Sequence, residues 1–234
     1  MKRRLGICVE GMTERIFVRD VLTPHLAGFG LWTNTLDLRG NVSLDRLADI
    51  LPGAVGNFDY LSTLVDFYGF KRRGKHTVDS LETAMVQLVS EHLRHRMLPY
   101  VQRYEFEALL FAVPENTVAA IHGSDRELRA MFEVLRSCGD PESINDGLQT
   151  SPSHRLLEIF SGRFNKPTHG PAIVAAAGLT AVNVSDSLIP ATASSRYMTP
   201  IYWRDPKSGQ AYIIGNDGLS IPGYSEIRRA SCRE

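Results

Sequence analysis

The chain has 234 residues, 43% of them hydrophobic and 22% charged, enough for one sizeable core and a small appendage. Lysine plus arginine and aspartate plus glutamate both number 26, so the net charge is zero and no global basic field advertises a nucleic-acid partner; any such contact has to come from local patches. No apolar run approaches the roughly 18 residues of a membrane span, and the opening Met1-Lys2-Arg3-Arg4 leads to a short strand and an acid instead of a signal-peptide core, so no membrane contact and a cytoplasmic location are expected.

Cys8, Cys138 and Cys232 form neither a C-x-x-C pair nor a disulfide framework; they read as buried or incidental thiols, which argues against zinc. The first run, Leu5 to Val9, is apolar and strand-like, and Glu10-Gly11-Met12-Thr13-Glu14 follows it. A strand ending at Val9 delivers Glu10 to the carboxyl edge of a sheet, where open α/β folds place their ligands. One helical turn later Glu14 can face the same point, and hard cations such as Mg²⁺ are held by one or two carboxylates together with waters. The competing reading makes Thr13 the helix cap and the acids partners of the helix dipole. Phe17, Val18, Val21, Leu22 and Leu26 then carry a helical period that Gly28 closes. Leu31 to Leu38 reads as a second strand, and Leu44, Leu47 and Leu51 as a short helix ending at Pro52-Gly53.

Tyr60 to Val65 is again β-prone, and Asp66 follows its last apolar residue as Glu10 follows Val9. Next comes the most basic stretch, Lys71-Arg72-Arg73-Gly74-Lys75, which reads either as a phosphate-binding loop beside the acids or as a solvated surface. Asp79-Ser80-Leu81-Glu82 has the pattern of a capping box and predicts a helix carrying Leu81, Met85, Leu88 and Val89 on one face. After a strand over Met97 to Val101, Glu105 and Glu107 alternate with aromatic residues, either as further ligands or as a half-exposed strand end or first helical turn. Ser124-Asp125-Arg126-Glu127 predicts another capped helix reaching about Ser137. Ser151 or Ser153 caps a helix with Leu156, Leu157 and Phe160 on its core face, and Arg155 or His154 can reach a phosphate. His169 is read as a loop residue, structural or a weak phosphate contact, ahead of an alanine-rich helix over Ala172 to Leu179. The alternation of strand and helix predicts an α/β fold with a mostly parallel sheet flanked by helices.

Five ordered motifs carry a resemblance: V-E-G-M-T-E at Val9 to Glu14, T-L-V-D-F-Y-G-F at Thr63 to Phe70, Q-R-Y-E-F-E-A-L-L-F at Gln102 to Phe111, N-D-G-L-Q-T-S-P-S-H-R-L-L at Asn145 to Leu157 and T-H-G-P at Thr168 to Pro171. Together they resemble the DUF4276 family, bacterial Toprim-like proteins related to the nuclease domain of the OLD family. The resemblance implies a Toprim-like sheet, a Mg²⁺ (or Mn²⁺) site with ligand roles on Glu10, Glu14 and Asp66, and an ATPase as the other half of a two-part system. It also exposes a departure. The second acid of the D-x-D that binds Mg²⁺ in Toprim enzymes would fall at position 68, which is Tyr68, so either Glu105 or Glu107 replaces the lost ligand or the site is weaker.

The resemblance is expected to cover residues 1–181. A divergent or poorly ordered extension over 182–225, with a hairpin-like stretch from Tyr197 to Ile214, follows it. Residues 226–234 read like the translation of a sequencing adapter, differing at one residue, and are set aside as a suspected artefact. Two readings remain: a metal-dependent nuclease whose Glu10 and Asp66 are catalytic, and a Toprim-like module that binds nucleic acid or a partner without cleaving.

Overall fold

The computed structural model describes residues 3–28, 30–103, 105–139, 144 and 150–179, with the strand segments 202–204 and 211–213. One sheet organises the chain, in the order β2 (Leu31–Asp37), β1 (Arg3–Val9), β3 (Tyr60–Asp66) and β4 (Met97–Leu98), with β5 (Val101–Gln102) also paired to β3. Every pairing in it is parallel. The architecture is the mostly parallel, helix-flanked α/β arrangement that the sequence predicts. Alternation along β1 sends Leu5, Ile7 and Val9 to one face and Cys8 to the other. Burial pushes the Cys8 thiol up to about 12.

α1 (Met12–Phe17) leads into a π-helical turn over Val18–Leu22 and α2 (Thr23–Ala27), and these last two cover the face of Leu5, Ile7 and Val9. The opposite face packs on α3 (Leu44–Val55) and α4 (Val78–Gln87). A third core, centred on Phe111, Phe160 and Ile173, lies among α5 (Ala108–Phe111), α6 (Pro114–Ala120), α7 (Asp125–Cys138), α8 (Pro152–Ile159) and α9 (Lys166–Ala177). α9 lies against α1, closely enough that a Cβ on Gly170 would stand 3.0 Å from Phe106 and 3.6 Å from Thr13. No described helix is long and apolar enough to cross a membrane.

Several local expectations shift. Gly11, not Thr13, is the N-cap of α1, and Thr13 is buried. α3 runs through Pro52 to Val55 because Ala54 and Val55 are buried, and that packing outweighs the hydrogen bond that proline removes. The cap of α4 is Thr77, two residues before the Asp79 signal: Thr77 N–H donates to Ser80 Oγ at 2.9 Å and Ser80 N–H returns to Thr77 Oγ1 at 3.2 Å. Glu82 accepts from Val101 N–H at 3.0 Å, tying α4 to β5. The strand expected over Met97 to Val101 is split at Pro99, which has no N–H for the ladder. Ser124 and Ser151 do cap α7 and α8, with Glu127 accepting from Ser124 N–H at 2.7 Å and Ser151 Oγ from His154 N–H at 3.4 Å. Leu157, assigned to the core face of α8, is exposed instead, while Leu156 and Phe160 are buried. α9 begins six residues earlier than the alanine-rich segment, because Asn165 Oδ1 caps Thr168 N–H at 3.1 Å and Pro167 occupies the first turn.

Near the carboxyl terminus β6 (Tyr202–Arg204) and β7 (Ala211–Ile213) pair antiparallel, with Trp203 opposite Tyr212. The remaining readings over 182–225, and that over 226–234, fall outside the described residues.

Candidate functional site

Parallel register places the acids. Val9 of β1 lies beside Leu64 of β3, so the residues that leave both strands emerge together at one sheet edge. There Glu10 N–H donates to the Leu64 carbonyl at 3.3 Å, and Glu10 Oε2 accepts from Asp66 N–H at 3.0 Å. The opposite side of that carboxylate is closed by Gly69, where a Cβ would stand 2.6 Å from Glu10 Oε1. A side chain at position 69 would require the Glu10 carboxylate to shift. Asp66 Oδ1 accepts from Tyr68 N–H at 2.8 Å. Burial pushes the Asp66 carboxyl up to about 7; the amides of Tyr68 and Gly69 work against this, and the charges of Glu10 and Glu105 add to it. Glu14 folds back on its own helix start, Oε2 accepting from Gly11 N–H at 3.2 Å. Burial raises its carboxyl above the usual range, Glu10 adding and Lys166 opposing.

The helical side supplies the other half. Glu105 Oε2 accepts from Ser153 N–H at 2.9 Å, at the start of α8. Lys166, first residue of α9, places Nζ 3.2 Å from Glu107 Oε2 and 3.8 Å from Glu105 Oε1. Glu107 is 3% exposed at its side chain, and burial pushes its carboxyl up to about 6 despite Lys166. Burial alone would pull the Lys166 ammonium down, but Glu107, Glu105 and Glu14 together hold it above its ordinary value.

Glu10, Glu14, Asp66, Glu105 and Glu107 thus share one electrostatic neighbourhood, closed on one side by Lys166. Among the described residues, no three His, Cys, Asp or Glu side chains converge tightly enough to enclose an ion by themselves. The acids meet pairwise. All are oxygen donors, and Mg²⁺ takes one or two carboxylates and fills its octahedron with water, so the donor set suits a hard divalent cation without a protein cage.

The other candidates lie at varying distances from this centre. Arg73 stacks its guanidinium 4.0 Å from the Phe67 ring centroid and 5.2 Å from that of Tyr68, on the turn that carries Asp66. Lys71 Nζ donates to Asn41 Oδ1 at 3.4 Å, Arg72 pairs with Asp45 at 3.0 Å, and Lys75 is exposed. Arg155 folds back, its Nε donating to the Thr150 carbonyl at 2.9 Å. His169 sits in the first turns of α9, not in a loop, and its Nδ1 accepts from Asn165 N–H at 2.9 Å. Sequence reasoning passed over Lys166 and Gly69. The run Asn165-Lys166-Pro167-Thr168 signals a helix start, which could have placed Lys166, but nothing local says which acids that helix end meets.

The family model described as Domain of unknown function (DUF4276) matches residues 9–185. No curated protein matches the chain. Among solved structures it is similar to the C-terminal region of the Burkholderia pseudomallei OLD protein, with TM-score 0.45 and 18% identity over 78% of this chain and 91% of that one. It is also similar to the C-terminal region of the Xanthomonas campestris pv. campestris OLD protein. The structure phased with iodine has TM-score 0.40 and 18% identity over 82% of this chain and 90% of that one, and the structure phased with platinum 0.39 and 19% over 81% and 88%.

Proposed function

This chain belongs to the DUF4276 family, a domain of unknown function, so its activity has to be read from its own residues, and we propose that it is a Toprim-like nuclease that hydrolyses phosphodiester bonds with Mg²⁺ or Mn²⁺. The observation that carries this reading is the meeting of Glu10 and Asp66 at the ends of adjacent parallel strands, with Asp66 pushed up to about 7 by burial and by the charges of Glu10 and Glu105. A carboxylate crowded in this way gains most from a divalent cation.

When bound, such a cation supplies water activation and neutralises charge on the leaving oxygen. Glu10 and Asp66 are the residues assigned to hold it, with Glu14 and Glu105 within electrostatic reach. Glu107 takes a different role: buried against Lys166, it fixes the ammonium that neutralises this side of the site. The part-exposed Lys166 then offers a donor to a phosphate oxygen, and the basic stretch Lys71 to Lys75 lies on the turn next to Asp66, available to the nucleic-acid backbone. The proposed setting is the cytoplasm of a bacterium, with an ATPase encoded nearby as partner in DNA processing or defence.

Tyr68, standing where a second acid would complete D-x-D, favours a second reading, a module that binds without cleaving. Cleavage assays with Mg²⁺ or Mn²⁺, on the chain alone and with a neighbouring ATPase, separate the two. Activity abolished by Glu10→Gln and by Asp66→Asn, with the fold retained, is the expected result, and calorimetry should show both variants losing divalent-ion binding. Cleavage that needs no metal, or that survives both substitutions, overturns the mechanism. Binding without cleavage under every condition makes the module the better reading.

A further inference from the structure

Among the described residues the exposed large apolar side chains are Met12, Trp32, Tyr68 and Leu157. Two of these four, Met12 at 55% and Tyr68 at 52% exposure, lie on the two turns that deliver Glu10 and Asp66. The Tyr68 ring stands two residues from the Asp66 carboxylate, with its backbone N–H on Asp66 Oδ1. Its flat apolar face has a use of its own.

Resting on the phosphodiester reading of the same acids, we infer that Tyr68, backed by Arg73, is a stacking platform for one unpaired nucleobase of a single-stranded nucleic acid. The ring is presented from a turn with little freedom. Tyr68 N–H is held by Asp66 Oδ1 at 2.8 Å, Phe67 N–H by the Gln102 carbonyl at 2.8 Å, and Lys71 N–H by the Val42 carbonyl at 2.7 Å, while Phe70 is buried beneath. Arg73 completes the platform. Its guanidinium lies over Phe67 and Tyr68, and Nη1 donates to the Phe67 carbonyl at 3.4 Å, so a cation is fixed against two aromatic rings that meet edge to face at 5.5 Å. Aromatic faces backed by arginine accept any base, and the neighbouring lysines and arginines supply the phosphate contacts that the zero net charge of the chain does not.

The platform selects against duplex. Paired bases keep their faces inside the helical stack, so only a strand with a free base can lie on Tyr68 while its phosphate reaches the acids one residue pair away.

The test is fluorescence anisotropy of the full chain with a labelled single-stranded oligonucleotide and with the blunt duplex of the same sequence, in EDTA and again in Ca²⁺. The single strand should bind more tightly. Tyr68→Ala should weaken it by about tenfold and leave the duplex within about twofold, whereas Tyr68→Phe should bind like the unaltered chain. Equal single-strand binding by Tyr68→Ala, an equal loss for both nucleic acids, or no binding of either overturns the platform. The nuclease reading is judged separately. If Tyr68→Ala binds unchanged while Glu10→Gln abolishes cleavage, only the platform falls; if nothing is cleaved but single-strand binding still depends on Tyr68, the platform stands without catalysis.

Discussion

Asp66 is the residue at which site and stability meet. Its carboxyl rises from 3.8 to about 7 on folding, so the folded chain binds a proton that the unfolded chain has released. The resulting stability is complete below about pH 4 and is lost as pH rises toward about 7, at up to about 1.4 kcal/mol per pH unit. Glu107, raised from 4.5 to about 6, adds to the same slope over a narrower window. Thermal melts without divalent ions should therefore show the melting temperature falling across this range. Asp66→Asn should flatten the decline, and Mg²⁺ should restore most at the alkaline end, where the carboxylate is empty of protons. A melting temperature that climbs through this window would contradict the assignment.

At the scale of elements, the strand ends were legible because an apolar run followed at once by an acid is a local pattern, and Val9-Glu10 and Val65-Asp66 both display it. Helix boundaries were less so. Pro52 and Asp79 gave the expected local signals, but the burial of Ala54 and Val55 and the mutual bonds of Thr77 and Ser80 decided the outcome. The contact of Lys166 with Glu107 spans 59 residues and depends on how α9 packs against α1, which no local pattern encodes. That contact has a measurable weight. Lys166→Met should leave the Glu107 carboxylate buried without its cation and destabilise the fold by about 1–3 kcal/mol above its raised pKa. The loss should shrink in acid, where Glu107 takes up a proton; denaturant melts on either side of about pH 6 measure it.

Across the whole molecule, the described residues of the sheet, its two helical faces and the third core lie between 3 and 179, and the family match ends at 185. The α/β class was legible for the same reason the strands were: the alternation of short β-prone runs with capped helices repeats along the chain. A chain ended after residue 185 should keep the melting temperature of the full chain and its metal-ion binding. Aggregation of that shorter chain, or a fall in its melting temperature, would show that the remaining residues belong to the folded unit.

Gly69, pressed on the Glu10 carboxylate, also bears on how this sequence can change over generations. Gly69→Ala alone should displace Glu10 and weaken divalent-ion binding, since the new methyl group would stand 2.6 Å from Oε1. Glu10→Asp withdraws the carboxylate by one methylene and frees that space. The double variant should therefore bind ions better than Gly69→Ala by itself, a coupling measurable in a double-mutant cycle. A larger side chain at position 69 is thus expected to go with a shorter acid at position 10, 59 residues away along the chain.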